Sequence, residues 1–155
     1  MSKQIAVRLI PLLAGLSLAS GSAFAALGGD VKSVQIDARK AKAAVQVKAV
    51  DSAAYTVHES TLPSGTVVRQ YVSPAGKVFA VAWSGPHMPD LKQLLGASFD
   101  TMLSMQAEAK HAGHPAVDIG TEKLVIQSHG HMRAFVGRAY LPQMMPAGVS
   151  ADAIQ

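Results

Sequence analysis

The chain has 155 residues, contains no cysteine, and carries 14 lysines and arginines against 10 aspartates and glutamates. This length predicts one domain, since domains typically have about 100–200 residues, and it excludes repeat arrays and large barrel enzymes. Charged residues make up 15% and apolar residues 49% of the chain, which argues against disorder, because disorder needs few hydrophobic residues and a large net charge. The lack of cysteine excludes thiol catalysis, disulfides and haem attached through C-x-x-C-H.

The first 25 residues have the pattern of a secretory signal peptide. Lys3 and Arg8 flank the start of an apolar run at 9–18, and small residues then lead to A-F-A at 23–25, which fits signal peptidase. Such a run spans about 15 Å as a helix, half of a hydrocarbon core of about 30 Å. Twin arginines and a lipidation cysteine are both missing. We therefore predict cleavage after Ala25, export by the general secretory route, and a soluble periplasmic or extracellular protein that is not a lipoprotein and has no stable membrane insertion.

Residues 26–155 are predicted to form a single α+β domain that begins with a flexible leader at 26–29. A peripheral helix is predicted from Asp30 to about Ala44, because small apolar residues recur there at helical spacing. From Val45 to Val50 apolar and polar residues alternate, and both helix and strand stay open. The apolar stripe of the helix consists of Val34, Ala38, Ala41 and Val45.

Three strands joined by tight turns are predicted next, at 55–59, 66–72 and 77–83. The strands are rich in β-branched and aromatic residues. The turns at 63–65 and 73–76 combine proline, which sets φ, with glycine, which accepts positive φ. The third strand is apolar on both faces, which predicts a central strand that is covered on both sides.

A second helix is predicted to begin after Asp90 and to end before Gly113. Asp90 is the expected N-cap, and Gln93 stands at the spacing of a capping box. Gly113 and Pro115 are typical of a helix end. The buried stripe is predicted to consist of Leu91, Leu95, Phe99 and Met102, widened by Leu94 and Leu103.

Two final strands are predicted at 123–128 and 131–140, with His129 and Gly130 as a two-residue turn and an irregular tail at 141–155. The element order is therefore α-β-β-β-α-β-β. This order predicts one antiparallel sheet of about five strands with two helices, an α+β fold.

The motif search excludes several classes of function. The sequence has no phosphate-binding loop, no G-x-G-x-x-G, no H-E-x-x-H and no G-x-S-x-G. It has no basic patch with interleaved aromatic residues, so nucleic acid is not an expected partner. No catalytic residue, metal or cofactor is assigned. Whether the protein is an enzyme is left open, with a non-catalytic role favoured.

The histidines are the first candidates for a site. His129 and His131 would share a face on a continuous strand and would be able to bind zinc or copper. A turn at Gly130 would splay the two side chains, however, and His111 and His114 lie near a predicted helix end. Roles in turns and caps are therefore favoured over a metal site.

The strand arginines are the second candidates. Arg69 shares a face with Tyr71, and Arg133 shares one with Phe135. An arginine beside aromatic residues is able to line a groove for an anion or a carbohydrate, because its planar guanidinium grips carboxylates with two hydrogen bonds. The alternative, which we favour, is a solvated sheet face with Glu59 as the cross-strand partner of Arg69.

Several segments resemble a known protein family. They are Y-T-V-H-E at 55–59, P-S-G-T at 63–66, G-K-V-F-A-V-A-W at 76–83, P-D-L at 89–91, G-H-M-R-A-F at 130–135 and G-R-A-Y at 137–140. With these segments the chain is similar to a family of small exported proteobacterial proteins, the domain of unknown function DUF2844. The resemblance covers nearly the whole chain after the signal. It implies export and a single domain, and it supplies no catalytic residues.

Two functional hypotheses follow. The first is a non-catalytic envelope protein that binds a partner protein or a wall component through the sheet face or the 84–89 loop. The alternative is a small histidine-dependent metal-binding protein or hydrolase. The ligand and the oligomeric state stay open. The candidates for ligand or partner contact are His58, Arg69, Trp83, His129, His131 and Arg133.

Overall fold

A computed structural model describes residues 26–32, 44–49, 54–111 and 117–155. Within these ranges, seven strands form one antiparallel sheet with the order β1-β2-β3-β4-β7-β6-β5. The strands are β1 (Ala44–Ala49), β2 (Thr56–Thr61), β3 (Val67–Val72), β4 (Val78–Gly85), β5 (Val117–Gly120), β6 (Val125–His131) and β7 (Ala134–Tyr140). The α-helices are α1 (Leu91–Leu95) and α2 (Ser98–His111), and short 3-10 turns lie at Pro142–Met144 and Ala151–Ala153.

The α+β class and the single antiparallel sheet are confirmed. The five predicted strands are all present, and the turns before β3 and β4 place Gly65 and Gly76 at φ values of 83° and 75°. The predicted order is wrong at the start, because 44–49 form an edge strand paired with β2, and β5 forms the opposite edge. Most of the predicted first helix, 33–43, lies outside the described residues.

The sequence predicted a flexible leader at 26–29, but the structure shows this segment packed against the domain. Leu27 is buried, and its backbone N–H donates to the carbonyl of Leu94 at 2.9 Å. The N–H of Gly28 donates to the carbonyl of Val78 at 2.7 Å. These bonds attach the segment both to α1 and to the central strand.

The predicted second helix is in fact two helices, which is a correction. Asp90 is the N-cap as expected, and its Oδ1 accepts a hydrogen bond from the N–H of Gln93 at 3.0 Å. The break comes at Gly96, which has φ 53° and ends α1 with its N–H bonded to the carbonyl of Lys92. A Cβ at Gly96 would also collide with the Cβ of Ala26. Glycine is therefore required there both by the backbone and by the packed leader.

The predicted turn at His129-Gly130 is also wrong. Strand β6 continues to His131, which pairs with Ala134, and the turn is formed by Met132 and Arg133. Arg133, the second residue of this turn, adopts a positive φ of 66°. Gly130 lies within the strand, where a Cβ would stand 2.7 Å from the Cδ1 of Phe135.

Each face of the sheet is covered by a different part of the chain. One face, which we call the helix face, packs against α1, α2 and Leu27, and the other, the tail face, packs against residues 142–155. All six residues from Val78 to Trp83 are buried, so the prediction that this strand is central and covered on both sides is confirmed. Leu103, predicted to be buried, is 45% exposed. None of the described helices combines the length and hydrophobicity that crossing a membrane requires.

Candidate functional site

A row of four polar side chains and one alanine crosses the tail face, with one residue from each of five neighbouring strands. Arg69 Nε donates to Oε2 of Glu59 at 2.8 Å, which confirms the expected cross-strand pair. On the other side, Arg138 Nε donates to Oε1 of Gln127 at 2.6 Å. Between the arginines stands Ala82, which is 2% exposed and packs in the same buried cluster as Ile154 of the tail. In register, the row is Glu59, Arg69, Ala82, Arg138 and Gln127.

The same arginines hold the tail against the sheet. Nη1 of Arg138 donates to the carbonyls of Ala151 and Ile154 at 2.8 and 3.2 Å. Nη1 of Arg69 donates to the main-chain oxygen of Gln155 at 3.3 Å. Ile154 is 1% exposed and packs into the core of the tail face. The arginines therefore have a structural role, and Nη2 of each makes no hydrogen bond with the described residues.

Tyr71 completes the attachment of the tail. Its hydroxyl donates to the main-chain oxygen of Gln155 at 2.8 Å. The same hydroxyl accepts a hydrogen bond from the backbone N–H of Gln155 at 2.9 Å. Burial raises the pKa of the Tyr71 hydroxyl. The group therefore stays neutral at physiological pH and is able to donate and accept at the same time.

Beside the row lies a groove of about 590 Å³. Ile154 and Gln155 form one side of it, and His129 and Val136 contribute on β6 and β7. Among the described residues that line it, Ser84 is the only one with a hydroxyl group. The lining consists of Arg69, Trp83, Ser84, Gln127, His129, Val136, Gly137, Arg138, Ile154 and Gln155.

The groove is electropositive because its two guanidinium groups are unequally compensated. Arg69 is paired with the carboxylate of Glu59. Arg138 is bonded only to an amide oxygen and to carbonyls, with no carboxylate partner among the described residues. The two Cα atoms are separated by two strand spacings, about 10 Å. Both side chains belong to residues that line the groove.

The structure places the sequence candidates in three different settings. Arg69, Trp83 and His129 line the groove, and His131 follows His129 on the same face of β6. Arg133 lies in the turn and not on a strand beside Phe135, and it is not among the residues that line the groove. The sixth candidate, His58, lies on the helix face and is treated next.

His58 is a buried core histidine. It is 6% exposed, opposite Gln70, and its Nδ1 has no hydrogen-bond partner among the residues that the structure describes. Burial lowers the pKa of the imidazole, because the charged form loses its hydration. The group therefore favours the neutral form and contributes to packing at this place, away from the groove.

The loop at 84–89 is fixed to the turn before β3. Thr66 is fully buried, and its Oγ1 donates to the carbonyl of His87 at 2.7 Å and accepts from the His87 N–H at 3.3 Å. A Cβ at Gly85 would lie 2.5 Å from the Cα of Thr66, so only glycine allows this approach. Met88 is 42% exposed at the tip. A partner-binding role for the loop stays a prediction.

Sequence reasoning missed Arg138 as a site residue. It was visible as an arginine on a predicted strand, but its position opposite Ala82 depends on the pairing of β4 with β7. Two helices and two strands separate these elements in the chain. No local pattern reports such a pairing, so the arginine row becomes visible only in the fold.

Comparison with known proteins gives a family and no individual relative. No curated protein and no solved structure matches the chain. A family model described as "Protein of unknown function (DUF2844)" matches residues 23–154. The match spans every described strand and helix, and with them the arginine row and the groove. The resemblance noted in the sequence is thereby confirmed, and the chain belongs to the DUF2844 family of proteins of unknown function.

Proposed function

We propose that the protein is an exported, non-catalytic binding module of the cell envelope that holds a carboxylate-bearing wall fragment in the groove between Arg69 and Arg138. The observation that carries this proposal is that two arginines from different strands, Arg69 on β3 and Arg138 on β7, both line the groove. A guanidinium grips a carboxylate with two parallel charge-assisted hydrogen bonds. Arg138, which has no described carboxylate partner, supplies the uncompensated positive charge.

The size of the groove favours a small ligand over a protein surface. Small-molecule sites typically enclose about 300–1,000 Å³, and this groove has about 590 Å³. Val136 gives the lining an exposed apolar side chain, and Ser84 adds a hydroxyl that donates or accepts. A short peptide or amino sugar that carries one carboxylate suits this mixture of contacts.

The composition of the lining supports binding without catalysis. General acid–base chemistry needs a proton donor and acceptor placed on either side of the reacting group. No aspartate or glutamate lines the groove in the part of the chain that the structure describes, and His129 is the only histidine among those lining residues. The lining therefore offers hydrogen-bond donors and charge for holding a ligand.

The binding test uses Val136, which is 54% exposed and lines the groove. We expect muropeptides from digested peptidoglycan to bind the chain in calorimetry. Val136→Glu places a carboxylate near the bound anion. At about 5 Å and an effective dielectric of about 20 the repulsion is about 3 kcal/mol, so after solvent screening affinity should fall at least about tenfold.

Val136→Gln is the matched control, because it has nearly the same shape without the charge. It should keep the affinity of the unaltered protein within about twofold, which is less than 0.5 kcal/mol. Inorganic phosphate is the second probe. Equal binding of phosphate and muropeptides would reduce the site to a general anion site, and no binding of either, or binding that Val136→Glu leaves unchanged, would refute the proposal.

Export has its own test. The basic residues, apolar run and A-F-A sequence at 23–25 support removal of a signal peptide. Protein recovered from the periplasm or the medium should begin at Ala26 when its mass is measured. Full-length chain retained in the cytosol would contradict export while leaving the groove chemistry to be judged by calorimetry.

A further inference from the structure

The histidine pair lies on a continuous strand, β6, the arrangement that the sequence leaves open but disfavours because of the turn predicted at Gly130. We propose that His129 and His131 form a site for a late divalent transition metal, with Cu²⁺ bound most tightly. The site lies at the edge of the groove, because His129 belongs to its lining. It is independent of the carboxylate proposal, since it needs only the two imidazole groups and the metal.

Strand geometry brings the two imidazoles together. His129 pairs with Val136 and His131 pairs with Ala134, so both histidines lie within the regular antiparallel ladder. Alternate residues of a strand project from the same face, and their Cα atoms are about 6.7 Å apart. Gly130, between them, is directed to the other face, where it lies against the ring of Phe135. The expected splaying of the pair by a turn is therefore absent.

Both imidazoles are available to a metal. Each histidine is exposed, and neither imidazole makes a hydrogen bond with the described residues. Their cross-strand neighbours, Val136 and Ala134, carry no group that would compete for a ring nitrogen. The tight turn after His131 fixes the register of the hairpin, so the strand holds the Cα atoms of His129 and His131 at a constant separation.

The donor set determines which metals fit. Imidazole nitrogen suits zinc, copper and nickel, and for a given nitrogen site the affinity rises from Ni²⁺ to Cu²⁺ and falls again to Zn²⁺. Within the described ranges no third histidine or carboxylate joins the pair. The metal would therefore keep coordination positions open to water. An open two-nitrogen site of this kind favours metal pick-up and exchange over permanent structural binding.

The test is titration of the full chain, without a His-tag, with Cu²⁺ alone. We expect uptake of one Cu²⁺ and, in two-dimensional NMR, selective paramagnetic broadening at Val136 and Ala134. His129→Gln and His131→Gln should each weaken binding at least about tenfold, because even the loss of an outer partner of a ligand costs about 10–100-fold. His87→Gln is the matched control, since His87 is exposed and its Nδ1 lies 3.3 Å from the carbonyl of Ser64.

A second variant tests the strand geometry itself. His131→Gln combined with Met132→His keeps the number of histidines but moves one imidazole from the strand into the turn. Affinity in this variant should fall as it does in His131→Gln. Uptake that survives both single substitutions, or that is lost with His114→Gln and not with His129→Gln, would overturn the proposed site.

Discussion

Gly137 offers the sharpest test of the packing in the middle of the sheet. It pairs with Trp83, the single tryptophan of the chain, which is 1% exposed. A Cβ at Gly137 would lie 2.6 Å from Cε2 of the indole and 2.8 Å from the main-chain oxygen of Gln127. Real Cβ atoms do not approach other atoms this closely, so Gly137→Ala must displace either the ring or the backbone of β6.

The size of the effect follows from what is able to move. Overpacking a core costs about 1–3 kcal/mol, and more where no flexible side chain yields. The indole is enclosed and the second obstacle is backbone, so we expect a loss near the upper end, about 3 kcal/mol. For a chain of this size 1 kcal/mol corresponds to about 2–4 °C in Tm, which predicts a decrease of about 10 °C.

Urea denaturation followed by circular dichroism measures this loss. Gly120→Ala is the matched control, because Gly120 is also a strand glycine and its Cβ would meet nothing within 4 Å. The control should be neutral or gain about 0.5 kcal/mol from reduced chain entropy. Combining Gly137→Ala with Trp83→Phe removes the outer ring and should recover part of the stability. A Gly137→Ala protein within about 0.5 kcal/mol of the original, the range of ordinary surface changes, would refute the argument.

Three further predictions concern other parts of the chain. Burial lowers the pKa of His58, so below about pH 6.5 the unfolded state binds more protons than the folded state, and the free energy of unfolding decreases as the pH falls. The difference between the urea midpoints at pH 7.5 and pH 5 should therefore be smaller in His58→Gln than in the unaltered protein. Asp90→Ala removes the cap of α1 and should lower the free energy of unfolding by about 1 kcal/mol. Arg138→Gln removes the bonds to Ala151 and Ile154, and hydrogen exchange at 151–155 should become faster while exchange in β4 keeps its rate.

Local signals were sufficient for most of the elements. Turn glycines, the Asp90 cap and apolar alternation located five strands and the start of α1 within a few residues. Two glycines were misinterpreted, because tertiary contacts that the local sequence pattern does not show require glycine at these positions. Gly96 was taken as an ordinary helix residue, although the packed leader at Ala26 requires it, and Gly130 was taken as a turn residue, although the ring of Phe135 requires it.

The candidate site was less accessible from the sequence. Arg69 and its partner Glu59 were identified because β2 and β3 form a hairpin, whose register follows from the turn. Arg138 joins them only through the pairing of β4 with β7 across an intervening helical segment. The same pairing places Ser84 opposite Val136 and so creates the groove. When side chains from distant hairpins meet in a sheet, no periodic pattern in the sequence predicts the contact.

The double use of the arginines leads to a last prediction, about how binding and the tail are coupled. Nη1 of Arg138 holds the carbonyls of Ala151 and Ile154, while its side chain also lines the groove. A carboxylate on that guanidinium would fix the side chain in the rotamer that clamps the tail. Muropeptide at about 100 times its Kd should raise the free energy of unfolding by about 2.7 kcal/mol.

The same ligand should slow hydrogen exchange at 151–155 more than in β5, which lies at the edge of the sheet away from the tail. Substitution of Arg138 alone cannot separate the two roles, because it removes the clamp together with the charge. Val136→Glu separates them, since it adds charge to the groove and leaves the tail bonds in place. If Val136→Glu weakens binding yet leaves exchange at 151–155 in the free protein unchanged, the groove is a ligand site in its own right. If Val136→Glu speeds exchange at 151–155 to the same extent as Arg138→Gln, the groove residues serve to hold the tail, and the coupling argument is wrong.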